Sequence, residues 1–99
     1  MADSRREELS DDQVHLIVKA LSDPRRYEIM RQLRECGRAL ACESVRGCMP
    51  ISAATLSHHM KELEMAGLVE VLREGKFASY LLRRDVLEAF VRRLRADLM

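Results

Sequence analysis

The residues best suited to chemistry lie between Ser52 and Val69, in the run Ser-Ala-Ala-Thr-Leu-Ser-His-His-Met-Lys-Glu-Leu-Glu-Met-Ala-Gly-Leu-Val. Placed on a helix at about 100° per residue, Leu56, Met60 and Leu63 share one face. Ala54, His58, Lys61 and Met65 point nearly opposite, with Thr55, Ser57 and Glu62 beside them. The outward set of the first turns is therefore Ala54, Thr55, Ser57, His58 and Lys61. His59 falls closer to the buried edge, where packing against a neighbour competes with a contacting role. Small hydroxyl, methyl and imidazole groups on an outer face suit contact with base edges in a DNA major groove. Thr and Ser donate or accept, and Ala and Thr methyls meet the thymine methyl. Lys61, further along, suits a phosphate, and a helix N-terminus capped by Ser52 offers backbone donors to another.

Flanking elements must hold that helix in place. Ser10 to Gln13 reads as a capping box before a stripe of Val14, Ile17, Val18 and Leu21. Asp23 caps a second helix with Pro24 at its first position, running to about Glu35. There Ile29, Met30 and Leu33 face inward and the arginines outward, and Cys36-Gly37 closes it. Leu40 to Arg46 reads as a short third helix, and Gly47 to Pro50 as a break. Ser52 caps the fourth helix, and Gly67 sits where a helix end wants it. Leu68 to Arg73 and Phe77 to Leu82 alternate with the strand period around Glu74-Gly75-Lys76, a hairpin signal. Arg73 and Lys76 flank its tip, within reach of a DNA backbone or minor groove, although two charges at a hairpin tip are often simply solvated. Asp85 caps a last helix with a wide apolar face including Leu87, Phe90, Val91 and Leu94. Helices followed by a hairpin and a closing helix give a mainly α fold with a small β-hairpin. This is a winged helix-turn-helix of about five helices and a two- or three-stranded wing. Residues 1–9 read as a flexible polar arm and 10–99 as a single domain.

Composition sets the bounds. A chain of 99 residues suits one small domain. Without Trp and with four other aromatics, its core must be built from aliphatic side chains and Met. Net charge is +1, so overall electrostatics do not announce a nucleic-acid partner. Arg nevertheless dominates the cations, and Arg25, Arg26, Arg31, Arg34 and Arg38 crowd one segment. No apolar run is long enough to cross a bilayer and the N-terminus has no signal-peptide core, so a cytoplasmic protein is expected. No Gly-rich phosphate loop, nucleophile motif or converging carboxylate pair argues for an enzyme.

Three segments together resemble the ArsR-type, arsenic-repressor-like, winged-helix family. They are Lys19-Ala20-Leu21-Ser22-Asp23-Pro24-Arg25-Arg26, then Thr55 through Leu63, then Ala66-Gly67-Leu68-Val69. The wing Arg73-Glu74-Gly75-Lys76 and the closing Tyr80-Leu81-Leu82 are similar too, so the likeness runs from about residue 14 to 95. It implies a homodimeric bacterial transcriptional repressor on a palindromic double-stranded operator, and control of its own promoter is one reading of that role. It also implies a dimer interface on the first and last helices. Val14, Ile17, Val18 and Leu21 would supply one side, and Leu87, Phe90, Val91 and Leu94 the other. The wide apolar faces of both helices agree, since one small core could hardly bury them.

Many members of that family release DNA on binding a metal, and here the usual sites are broken. The two positions of a Cys-x-Cys pair fall on Ala41 and Glu43, with Cys42 between them. The last helix offers Asp85, Glu88 and Asp97 but no histidine. Cys36, Cys42 and Cys48 remain. They could hold a soft metal ion or arsenite, form a redox-sensing disulfide, or serve as small buried hydrophobes, the reading favoured here. No cofactor is otherwise implied. A winged-helix module that binds protein without specific DNA binding is the alternative function. Residues 50–82 support it, carrying Lys61, Arg73 and Lys76 against Glu62, Glu64, Glu70 and Glu74.

Overall fold

The computed structural model describes residues 8–36, 40–41 and 51–99. Among these, four helices and three strands follow the chain. They are α1 (Asp11–Ala20), α2 (Pro24–Cys36), β1 (Leu40–Ala41), α3 (Ala53–Met65), β2 (Val69–Glu74), β3 (Phe77–Leu82) and α4 (Arg84–Leu98).

Local chemistry sets most boundaries. Ser10 caps α1, its Oγ accepting from the Gln13 amide at 3.1 Å. Gln13 does not close the box on Ser10 with its side chain. Its Nε2 donates instead over 3.5 Å to the Ala66 carbonyl at the end of α3, so α1 is tied to α3. Asp23 accepts from the Arg25 amide at 2.8 Å, and Pro24 opens α2 without an amide hydrogen to leave unpaired. Ser52 caps α3 by accepting from the Thr55 amide. At its far end the Gly67 amide donates to Glu64 and the Leu68 amide to Leu63, with Gly67 at φ 81°. This reciprocal pair of bonds around a left-handed residue is the Schellman arrangement, and it turns the chain directly into β2.

Two expectations change. Asp85 does not cap the last helix. Helix α4 begins at Arg84 after Arg83, which makes no side-chain cap, and Asp85 sits in the first turn. It is held there by a two-point ion pair with Arg83 at 2.9 and 3.1 Å, a geometry that competes with capping. The helix expected from Leu40 to Arg46 also fails at its start. Leu40 and Ala41 are a strand, paired antiparallel with Tyr80 and Ser79 of β3. An open hairpin leaves one edge of β3 without hydrogen-bond partners, and β1 supplies them, giving the order β1-β3-β2. The rest of that segment lies outside the described residues.

Strands β2 and β3 pair from Val69↔Leu82 to Glu74↔Phe77, leaving Gly75-Lys76 as a two-residue loop. Gly75 takes φ 63° and Lys76 does not share the positive φ, the pattern of a type II′ turn. The core is aliphatic, as composition requires. Ile17, Ile29, Leu33, Leu56, Leu63 and Leu68 are fully buried with Met60, and Tyr80 and Phe90 close it. Each such large side chain contributes about 1.5–3 kcal/mol relative to an exposed one. Arg93 ties α4 to α1 by donating to the Leu9 carbonyl at 2.9 Å and pairing with Asp11 and Asp97. Leu9, assigned from sequence to the N-terminal arm, packs against the core. Residues 1–7 lie outside the described set.

Candidate nucleic-acid interface

Helix α3 is amphipathic in the sense needed for reading. Leu56, Met60 and Leu63 anchor its inner side. Ser52, Ala54, Ser57, His58 and Lys61 are exposed, and Thr55 is half-buried. The first turn is locally braced. Ser52 Oγ accepts from the Thr55 amide and donates to Thr55 Oγ1 at 2.9 Å, which leaves the Thr55 hydroxyl hydrogen to donate outward. On the hairpin, Arg73 near the end of β2 and Lys76 in the loop are both exposed. Among the described residues, Lys61, Arg73 and Lys76 have no ion-pair partner. Their charges are free to meet phosphates. Phe77 stands exposed beside Lys76 at the tip.

His59 is not part of this surface; of the two roles weighed for it from the sequence, a DNA contact and packing against a neighbour, the structure shows packing. It is 2% exposed, and its Nδ1 lies 3.1 Å from Nη1 of Arg26. Burial pushes its pKa down, and the neighbouring Arg26 adds to that, against an opposing pull from Asp23. Arg26 is the second correction. Expected to face outward with the other arginines of α2, it is 8% exposed and its Nε donates to the Ala20 carbonyl at 2.6 Å. The spacing carried the signal. Arg26 stands three, four and seven residues before Ile29, Met30 and Leu33, and His59 stands three after Leu56 and four before Leu63. Both occupy apolar-face positions, and only their polarity argues otherwise.

The proposed interface residues separate into two groups. Val18, Val91 and Leu94 are exposed, and Val14, Leu21 and Leu87 are half-buried. Ile17 and Phe90 instead lie in the protomer's own core, with almost no surface left to offer a partner. Leu21, Leu87 and Val91 line a groove of about 560 Å³ with Tyr27, Met30 and Leu82. Among the described residues no cluster of three His, Cys, Asp or Glu could hold a metal ion. Cys36 is half-buried at the end of α2, and Cys42 and Cys48 lie outside the described residues. No helix among the described residues is long and apolar enough to cross a membrane.

Comparison with known proteins agrees with this geometry. Residues 21–71, which run from the end of α1 into β2, match the family described as Helix-turn-helix domain. An arsenical resistance operon repressor of Staphylococcus xylosus is 38% identical over 80 residues, covering 81% of this chain and 75% of the relative. This chain belongs to the ArsR family of winged helix-turn-helix transcriptional regulators. The uncharacterized HTH-type transcriptional regulator YceK of Bacillus subtilis is 36% identical over 83% of each chain. Among solved structures, a homodimeric winged helix-turn-helix DNA-binding domain from Mycobacterium bovis superposes with a TM-score of 0.69. That domain belongs to a possible ArsR-family transcriptional regulator and is 31% identical, with coverage of 90% of this chain and 88% of that one. Within an ArsR-family fold, α3 is the second helix of the helix-turn-helix and the β2–β3 hairpin is the wing.

Proposed function

We propose that this ArsR-family chain is a sequence-specific transcriptional repressor that binds double-stranded DNA as a homodimer on a two-fold symmetric operator in the cytoplasm. The observation that carries the reading is the outer face of α3. Ala54, Thr55, Ser57 and His58 present methyl, hydroxyl and imidazole groups on a helix whose inner side is locked into the core. Those groups read base edges, while Lys61 on α3 and Arg73 and Lys76 on the wing hold phosphates. The half-buried and exposed apolar residues of α1 and α4 support dimerisation, since Val18 and Val91 are 53% and 47% exposed in the isolated protomer. The homodimeric relative from Mycobacterium bovis supports the same assembly. Two protomers would present two α3 helices to half-sites about one turn of DNA apart. The role proposed is binding.

Selection from a random duplex pool, with sedimentation of the purified chain, tests the proposal. The expected result is enrichment of one two-fold symmetric sequence by a dimer. A monomer, or a pool that stays random while binding is salt-sensitive, would contradict it.

A further inference from the structure

We propose that Arg26 is a positioning residue for DNA reading: its buried guanidinium sets α3 against α1 and α2 through His59, and the link holds only while the His59 ring is neutral. This inference rests on the reading of α3 as the DNA-contacting helix.

Three helices meet at this one side chain. Arg26 leaves the first turn of α2 and donates from Nε to the Ala20 carbonyl at 2.6 Å and from Nη2 to the Lys19 carbonyl at 3.5 Å. Both carbonyls lie at the C-terminal end of α1, where a positive charge is favoured, and the Lys19 carbonyl also accepts from the Ser22 amide at 3.2 Å and Ser22 Oγ at 2.6 Å. The third nitrogen, Nη1, meets His59 Nδ1 on α3 at 3.1 Å. A planar fork holds acceptors on two helices in one fixed geometry, whereas a lysine ammonium is a compact charge on a flexible stem.

The placement is costly and therefore informative. Position 26 continues the spacing of Ile29, Met30 and Leu33, so an aliphatic side chain would fit the pattern. A buried cation there gives up its hydration. No carboxylate bonds to Arg26 among the described residues, and its hydrogen-bond partners are two carbonyls and a ring nitrogen. What this arrangement supplies is orientation. Leucine and methionine packing lets a helix rotate and slide slightly, whereas a charged hydrogen bond fixes one point on it. That point is adjacent to His58 and one helical turn beyond Thr55, so a rotation of α3 that moves His59 moves the outer face with it.

Proton chemistry gives the link its condition. A guanidinium only donates, so His59 Nδ1 must accept and the ring hydrogen sits on Nε2. Nε2 is itself buried without a partner among the described residues. Adding a proton would place a second donor at Nδ1, facing a fixed positive charge. The bond cannot survive that. The groups around the ring divide: Asp23 before α2 favours the proton, while Arg25 and Arg26 on α2 and His58 on α3 oppose it.

The test uses a duplex selected by the wild-type chain at about pH 8, a scrambled duplex, and the variants Arg26→Lys and His59→Asn. Asparagine can place Oδ1 where Nδ1 lay and does not titrate. Arg26→Lys is expected to lose roughly tenfold or more on the selected duplex, the scale of a buried charged hydrogen bond, with little change on the scrambled one. As the pH is lowered from about 8 to below the ordinary imidazole range, the wild type should lose its preference for the selected duplex, and His59→Asn should keep it. A folded Arg26→Lys protein with wild-type preference overturns the inference. So does a His59→Asn profile that follows the wild type, and this second comparison decides the matter if Arg26→Lys does not fold. A wild-type chain that enriches no duplex overturns the DNA reading and the inference with it, whereas enrichment with unaltered variants overturns the link alone.

Discussion

Replacing Gly67 by alanine separates two opposite expectations. Glycine to alanine beside a helix ordinarily stabilises by about 0.4–1 kcal/mol, because the unfolded chain loses freedom. At Gly67 the native φ is 81°, where an L side chain costs about 1–2 kcal/mol. The added Cβ would also stand 2.8 Å from Gln13 Nε2. That amide is the end of a flexible side chain and can move, but moving it gives up the bond to Ala66 that ties α1 to α3. A hydrogen bond contributes about 0.5–1.5 kcal/mol, and this long one belongs at the lower end. The sum is a net loss of about 0.5–2 kcal/mol. Gly75 is the internal control: its φ is 63° but nothing lies within 4 Å of an added Cβ, so only the backbone cost applies. For a domain of this size each kcal/mol shifts the melting temperature by roughly 4–8 °C. Thermal unfolding at fixed protomer concentration should therefore place Gly67→Ala clearly below Gly75→Ala, and both below wild type. A Gly67→Ala protein as stable as wild type, or no worse than Gly75→Ala, would refute the account of how α3 ends.

Three further outcomes follow from the same contacts. Ser52→Ala removes the cap of α3 and should cost about 1 kcal/mol in denaturant unfolding, with a loosened first turn seen as faster amide exchange at Thr55. Acid should destabilise the fold in two stages, read as melting temperature against pH. His59 is held below the ordinary imidazole value, so the unfolded chain takes the proton first, and the stability it contributes is lost as pH falls from about 6.5 downward. Asp11, Asp23 and Asp85 are held low by Arg93, the Arg25 amide and Arg83 respectively, and their contribution is lost only below about pH 4. Lys61→Ala should weaken binding to all duplexes alike and reduce the salt slope of binding by about 1 in a titration against ionic strength.

Much of the site was legible because it is built from local rules. The Ser52 cap, the Leu56, Met60 and Leu63 seam and the Gly67 stop are each decided within a few residues, and the outward face follows from them by geometry. Strand β1 was not legible. Two residues carry no period, and their pairing answers a need of β3 nearly forty residues away in the chain. Arg26 was misplaced for the reverse reason. Its spacing pointed inward, but an arginine is expected outside unless a partner is known, and that partner is on another helix. Ile17 and Phe90 show the limit of an apolar stripe, which marks a buried face without saying whether the chain's own core or a second copy covers it.

The central claim is that the outer face of α3 selects sequence. The direct measurement is the affinity of the Thr55→Ala, Ser57→Ala, His58→Ala triple variant for the selected operator and for a scrambled duplex, at one salt concentration. Each lost base contact is worth about 1–3 kcal/mol, so preference for the operator should fall by at least roughly tenfold while binding to the scrambled duplex stays unchanged. A folded triple variant that keeps the wild-type preference would contradict the account.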